Sequence, residues 1–181
     1  MCLFKTKNTR IMKAHYLLNI LSEDRKGLVS IITGMLNRKG IEIESISAAR
    51  TDTYTNILIT IEVIAGAAEL KTMVLKIKNI VEVSQVTARL LQHAVYQKVA
   101  LYSLDKQAYN SDMYNKLQKY GAVILGYDKD KLIIQKTGRD EHILALHNLL
   151  EGRHLMGFSK SAAISLMPFS ADDEVVISKA A

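Results

Sequence analysis

The sequence predicts an α+β chain built from two tandem βαββαβ modules, and three observations carry that prediction. Short runs of apolar residues alternate with period two, as half-buried strands do. Between them lie runs in which apolar residues recur at helical spacing. The order strand, helix, strand, strand, helix, strand then passes through the chain twice. Each strand-helix-strand unit crosses over right-handed, so both helices of a module fall on one face of a four-stranded antiparallel sheet. That is the ferredoxin-like arrangement.

In the first module, Tyr16, Leu18 and Ile20 alternate with Leu17, Asn19 and Leu21 to give an opening strand apolar on both faces. Leu28, Ile31, Ile32, Met35 and Leu36 mark an amphipathic helix, and Gly40 is placed to end it. Ile41 to Ile46 reads as a half-buried strand. Asp52 to Asn56 supplies a polar turn, and Ile57, Ile59, Ile61 and Val63 form the next strand. Leu70, Met73, Val74 and Ile77 follow as a helix, and Val83 to Leu91 closes the module. The second module repeats the order. Val99 to Leu104 is a strand, and a helix runs from about Ser111, taken as its N-cap, to Gly121. Val123 to Gly126 and Leu132 to Gln135 are strands joined by a turn at Asp128-Lys129-Asp130. Ile143, Leu146 and Leu150 mark a helix with Asp140 as cap, and Ala162 to Met167 reads as the last strand, ended by Pro168. The organisation is thus a flexible basic arm (1–14), a first module (15–92), a second (95–168) and a mobile tail (169–181). The sheet face away from the helices is expected to be bare, with Leu17, Leu21, Leu58 and Ile64 needing cover, and a second copy of the chain would supply it.

Composition bounds the function. Of 181 residues, 49% are hydrophobic and 23% charged, which suits a folded chain. No apolar run is long enough to span a bilayer. Lys5, Lys7, Arg10 and Lys13 make the N-terminus basic without a hydrophobic core behind them, so a frayed arm is expected rather than a targeting segment. One cysteine, Cys2, allows no internal disulfide, and the cytoplasm is the default location. The net charge of +6 is scattered over helix surfaces, as with Lys76 and Lys78 or Lys116 and Lys119, and no aromatic RNA-binding strand is present. Neither nucleic acid nor membrane is an expected partner.

Catalytic patterns are lacking as well. His15, His93, His142, His147 and His154 form no metal-ligand motif, and no phosphate loop or nucleophile elbow occurs. Glu42 and Glu44 would share one strand face, as a solvated or interface pair rather than an acid and base. The informative segment is Ser22-Glu23-Asp24-Arg25-Lys26-Gly27-Leu28, between the first strand and first helix. Backbone amides at a helix start carry the positive end of its dipole, and Gly27 lets a ligand approach the main chain. A carboxylate held by the amides of Gly27 and Leu28 fits there. A plainer reading makes Asp24 or Ser22 a helix cap and Gly27 a packing residue.

From His15 to about Leu91 the chain resembles the ACT domain, a ligand-binding module of amino-acid metabolism. More narrowly, LLNILSEDRKGLVSIITGMLNRKGIEIESISAARTD resembles the start of the small regulatory subunits of acetolactate synthase. The matching pieces are Glu23-Asp24, Gly27-Leu28, Arg38-Lys39-Gly40 and Glu42-Ile43-Glu44-Ser45, and Phe158-Ser159-Lys160-Ser161 sits where that family has a basic-Ser segment before its last strand. The resemblance extends from His15 to Met167. It implies a non-catalytic chain that dimerises through its ACT domains and activates a catalytic large subunit. It also implies that an amino-acid effector, usually valine, is sensed between two chains, in the service of branched-chain amino-acid biosynthesis. Thiamine diphosphate, magnesium and FAD would belong to the catalytic subunit, with no cofactor on this chain. The implied effector residues are Asp24, Lys26, Gly27, Leu28, Glu42 and Ile43. Asp24 and Glu42 stand where the family has Asn. A carboxylate there repels the effector's own carboxylate unless it engages the ammonium or turns to solvent, and Lys26 and Arg38 are candidate partners for Glu42. The rival reading is a stand-alone ACT-type amino-acid sensor that regulates gene expression through its basic charge.

Overall fold

The computed structural model describes residues 12–50, 55–152 and 154–167, which fall into two compact units, Val95–Leu166 forming the second and the rest the first. Much of the basic arm, most of the first hairpin turn, Cys2, Pro168 and the C-terminal tail lie outside the described residues.

The first unit runs β1 (Lys13–Glu23), α1 (Leu28–Arg38), β2 (Glu42–Arg50), β3 (Asn56–Gly66), α2 (Ala67–Lys78) and β4 (Val83–Leu90). β1 therefore begins inside the segment expected as an arm. The sheet order is β2-β3-β1-β4, all antiparallel. This is the ferredoxin-like order the alternating sequence predicts, because β1 and β3 are the most apolar strands and take the centre. Tyr16, Leu18 and Ile20 of β1 and Ile59, Ile61 and Val63 of β3 share one core with Leu28, Ile32 and Leu36 of α1 and Leu70, Met73, Val74 and Ile77 of α2. Gly40, at φ 68°, ends α1 in the left-handed conformation that a Cβ disfavours.

Two expectations for this unit need correction. The face away from the helices is not bare throughout: Leu17, Asn19, Thr60, Glu62 and Thr87 are each nine-tenths or more buried, while Leu21, Leu58 and Ile64 stay partly exposed. Some polar groups there pair, Thr60 donating to Asn19 Oδ1 at 3.1 Å and Ser45 donating to Glu62, whereas the Thr87 hydroxyl has no partner. Nor do Glu42 and Glu44 share a face by simple alternation. A bulge between Ile43 and Ser45 makes Glu44 the extra residue, and its carboxylate lies 3.0 Å from His15 Nδ1.

The second unit runs β5 (Tyr96–Asp105), α3 (Ser111–Lys119), β6 (Val123–Asp128), β7 (Lys131–Gly138), α4 (Asp140–Leu150), β8 (Leu155–Lys160) and β9 (Ile164–Ser165). The sheet order is β6-β7-β5-β8, with β9 on β5 beyond β8. Its core joins Ala100, Tyr102 and Leu104 to Leu132, Ile134, Leu117, Ile143, Leu146 and Leu150. The Tyr102 hydroxyl donates to the Ile143 carbonyl at 2.8 Å, and burial pushes its pKa up to about 12.

Here the sequence reading misses three local features. The main closing strand is Leu155–Lys160, and the expected Ala162–Met167 strand shrinks to Ile164–Ser165. Phe158 to Lys160 are therefore strand rather than a segment preceding it. A bulge between Ser103 and Leu104 leaves Met156 unpaired, which breaks the period-two signal in β8. Asn110, not Ser111, caps α3, its Oδ1 accepting from Met113 N at 2.9 Å. Asp140 does not cap α4. Arg139 occupies the cap position but makes no side-chain capping bond, while the Asp140 carboxylate takes Lys98 Nζ and Lys160 Nζ, each at 2.6 Å.

Candidate functional site

The loop between β1 and α1 is shaped by one glycine and two ion pairs. Gly27 precedes α1 at φ 84°, left-handed, with nothing within 4 Å of where a Cβ would stand. No side chain caps α1 and its first turn carries no acid, so the positive end of the helix is uncompensated. Neither Asp24 nor Ser22 serves as the cap that the plainer reading supposed. The Leu28 amide already donates to the Arg25 carbonyl at 3.2 Å, and the Gly27 carbonyl accepts from Ile31 at 3.0 Å.

The loop is fastened on both flanks. Asp24 N donates to the Thr55 carbonyl at 2.8 Å, and Asp24 Oδ2 accepts from Arg50 Nε at 2.7 Å. Both bonds reach the far end of the β2–β3 hairpin. On the other side Glu23 N donates to the Glu82 carbonyl at 2.9 Å, and the Arg25 guanidinium meets the Glu82 carboxylate. Beneath this loop Ser22 is fully buried, and its hydroxyl has no hydrogen-bond partner. Alternation along β1 puts Ser22 on the face with Tyr16, Leu18 and Ile20, which carries the helices. Thr87 and Ser103 likewise bury hydroxyls without a hydrogen-bond partner, so this feature is not special to the loop.

Asp24, Lys26, Gly27 and Leu28 thus lie together, with Lys26 exposed. Glu42 and Ile43 do not join them. They open β2 after the end of α1, an 11-residue helix that spans about 16 Å. Glu42 faces Ile64, which in turn pairs with His15 at the opposite end of β1 from the loop. It is exposed and pairs with neither Lys26 nor Arg38. Sequence reasoning missed Arg50 and named Ser22 only as a possible cap. The β2–β1 separation of 26 residues hides the first, and only the strand register reveals it.

Among the described residues no group of three or more His, Cys, Asp or Glu could hold a metal ion, and no helix is long and apolar enough to cross a membrane. His147 instead packs its ring 4.6 Å from that of Phe158.

Comparison with known proteins agrees with this fold. Residues 15–87 match the family model of the ACT domain. The chain is 23% identical over 150 residues to the acetolactate synthase small subunit of Mycobacterium bovis, covering 82% of this chain and 89% of that one. It is 25% identical over 130 residues to the acetolactate synthase small subunit of Bacillus subtilis, covering 71% and 76%. Among solved structures, the acetolactate synthase small subunit of Thermotoga maritima superposes with a TM-score of 0.73 at 19% identity, covering 83% of this chain and 94% of that one. That likeness spans both modules and establishes the tandem fold. The first unit is an ACT domain, and along both units the chain resembles the small subunits of acetolactate synthase.

Proposed function

We infer that this chain is a non-catalytic regulatory subunit that activates a separate acetolactate synthase and senses a branched-chain amino acid, valine first among candidates. The observation that carries the reading is joint similarity across both modules, 82% of this chain against 89% of a small-subunit relative, rather than the ACT module alone. The start of α1 supports the sensing role. It offers an uncapped helix end and a left-handed Gly27.

The placement of Glu42 and Ile43 favours a site shared between two copies. β2 is an edge strand, and two β2 edges paired antiparallel about a two-fold axis would bring the start of one beside the Arg50 end of the other. Glu42 and Ile43 of one copy would then complete the loop around Gly27 of its partner. Effector binding can change the catalytic subunit only by favouring one of two states of the assembly. The thiamine diphosphate, magnesium and FAD chemistry is assigned to that subunit. The test is reconstitution: a matching catalytic subunit is assayed with and without this chain, then with added valine. Turnover rises with the chain and falls with valine. Turnover that ignores the chain removes the reading.

A further inference from the structure

The sheet of the second unit has two unlike faces. Ala100, Tyr102 and Leu104 of β5 and Leu132 and Ile134 of β7 point to the helices and lie in the core. Alternation puts Val99, Leu101 and Ser103 of β5 and Ile133 and Gln135 of β7 on the other face. The register carries that face across the sheet: Leu101 pairs with Gln135 and Ser159, and Gln135 pairs with Val123. At one end Gln97 pairs with Ile164 of β9, and Val95, Ile164 and Leu166 border an apolar hollow of about 220 Å³. This face is open: Leu101 keeps 41% of its surface exposed, Val123 56% and Ile164 58%. In the first unit the corresponding face buries Leu17, Asn19, Thr60 and Thr87. We propose that the open sheet face of the second unit packs against the same face of a second copy of this chain.

Chemistry and size select this occupant. From Gln97 to Ser103 the cross-strand rows hold Thr137, Gln135 and Ser159 as further polar members and no ionisable side chain. Charge enters at the far end, where Lys131 stands between Asp105 and Asp128. A partner recognised by charge finds nothing to read on these rows, although the chain as a whole carries +6. A neutral apolar face is complementary to itself, which is what a two-fold contact requires. Two identical sheets also share one twist, so they pack aligned at about 30° and about 10 Å apart. The run from Val95 to Ser103 spans about 26 Å, and four strands span about 19 Å. The footprint is therefore about 500 Å² per copy and about 1,000 Å² for the pair, the lower end for a specific interface. Such a contact is weak, in the micromolar range. It is separate from the pairing of β2 edges on the first unit and does not rest on effector sensing.

The test traps and weighs the contact in the full chain. With Cys2→Ser removing the natural thiol, Leu101→Cys is oxidised and the covalent pair is measured on a denaturing gel. It forms at least about tenfold faster than in Leu144→Cys, because facing thiols meet at high local concentration. Leu144 is no less exposed but stands on α4, which covers the opposite face. In sedimentation velocity, Leu101→Lys combined with Val123→Lys weakens self-association by about tenfold or more, since the contact would strip water from both ammonium groups. Leu144→Lys leaves self-association unchanged. The replaced side chains are exposed, so the melting midpoint of each variant stays near that of the unaltered chain. An unchanged association constant in the double variant, or equal trapping in Leu101→Cys and Leu144→Cys, overturns the proposal. A double variant that self-associates normally but no longer binds a matching catalytic subunit assigns the face to that subunit and also overturns it.

Discussion

The two units share one topology but treat their first helix starts in opposite ways. In the first, α1 begins after a left-handed Gly27, has no side-chain cap and no acid in its first turn. In the second, α3 begins under the Asn110 side chain and carries Asp112 in its first turn. The same strand-helix junction is thus open in one unit and sealed in the other. A helix start with spare amides is stabilised when an anion arrives; one already capped gains nothing from it. Fold repetition therefore does not repeat the open helix start.

The cores differ as well, and the largest expected effects test them. Ile32 is fully buried between α1 and the first sheet, and Leu117 is its counterpart between α3 and the second. Replacing either by Ala is expected to cost about 2–5 kcal/mol, measured by denaturant unfolding. If Leu117→Ala costs far less than Ile32→Ala, the second core is looser than its burial suggests.

The second unit holds a charged centre around Asp140. Lys98 is almost wholly buried, and Asp140 bridges it to Lys160 with Tyr96 OH at 3.3 Å. Burial alone would raise the Asp140 pKa, but the hydrogen bonds from Lys160 and Lys98 outweigh it and hold the carboxyl below its usual range. A depressed folded pKa gives stability that is present above the unfolded value near 3.8 and lost as pH falls through the folded value. Lys98→Ala is expected to destabilise by about 1.5–3 kcal/mol at neutral pH, with a smaller penalty once Asp140 is protonated. Thermal melts at pH 7 and below pH 3 check this, and an equal loss at both would remove the ion cluster from the account. The smallest effect concerns the sealed helix. Asn110→Ala is expected to cost about 1 kcal/mol, as cap removal does, read as a lowered melting midpoint.

Much of this was legible from residue order. Tyr16, Leu18 and Ile20 announce a central strand, and the apolar residues from Leu28 to Leu36 announce the helix above it. The glycine before that helix pointed to the loop. Legibility failed where pairing, not local pattern, decides. The bulged Met156 disguised β8, and Asp140 looked like a cap because its lysine partners lie 42 and 20 residues away. Arg50 was hidden for the same reason, since it acts across the sheet.

The divided edge beside β5 has a consequence for time rather than architecture. Ala100 to Leu104 lie along β8, whereas Tyr96 and Gln97 are held on that side only by the two residues of β9. So short a ladder opens by local fraying long before the whole unit unfolds. The entry to the second unit therefore exchanges with solvent on a faster clock than its middle.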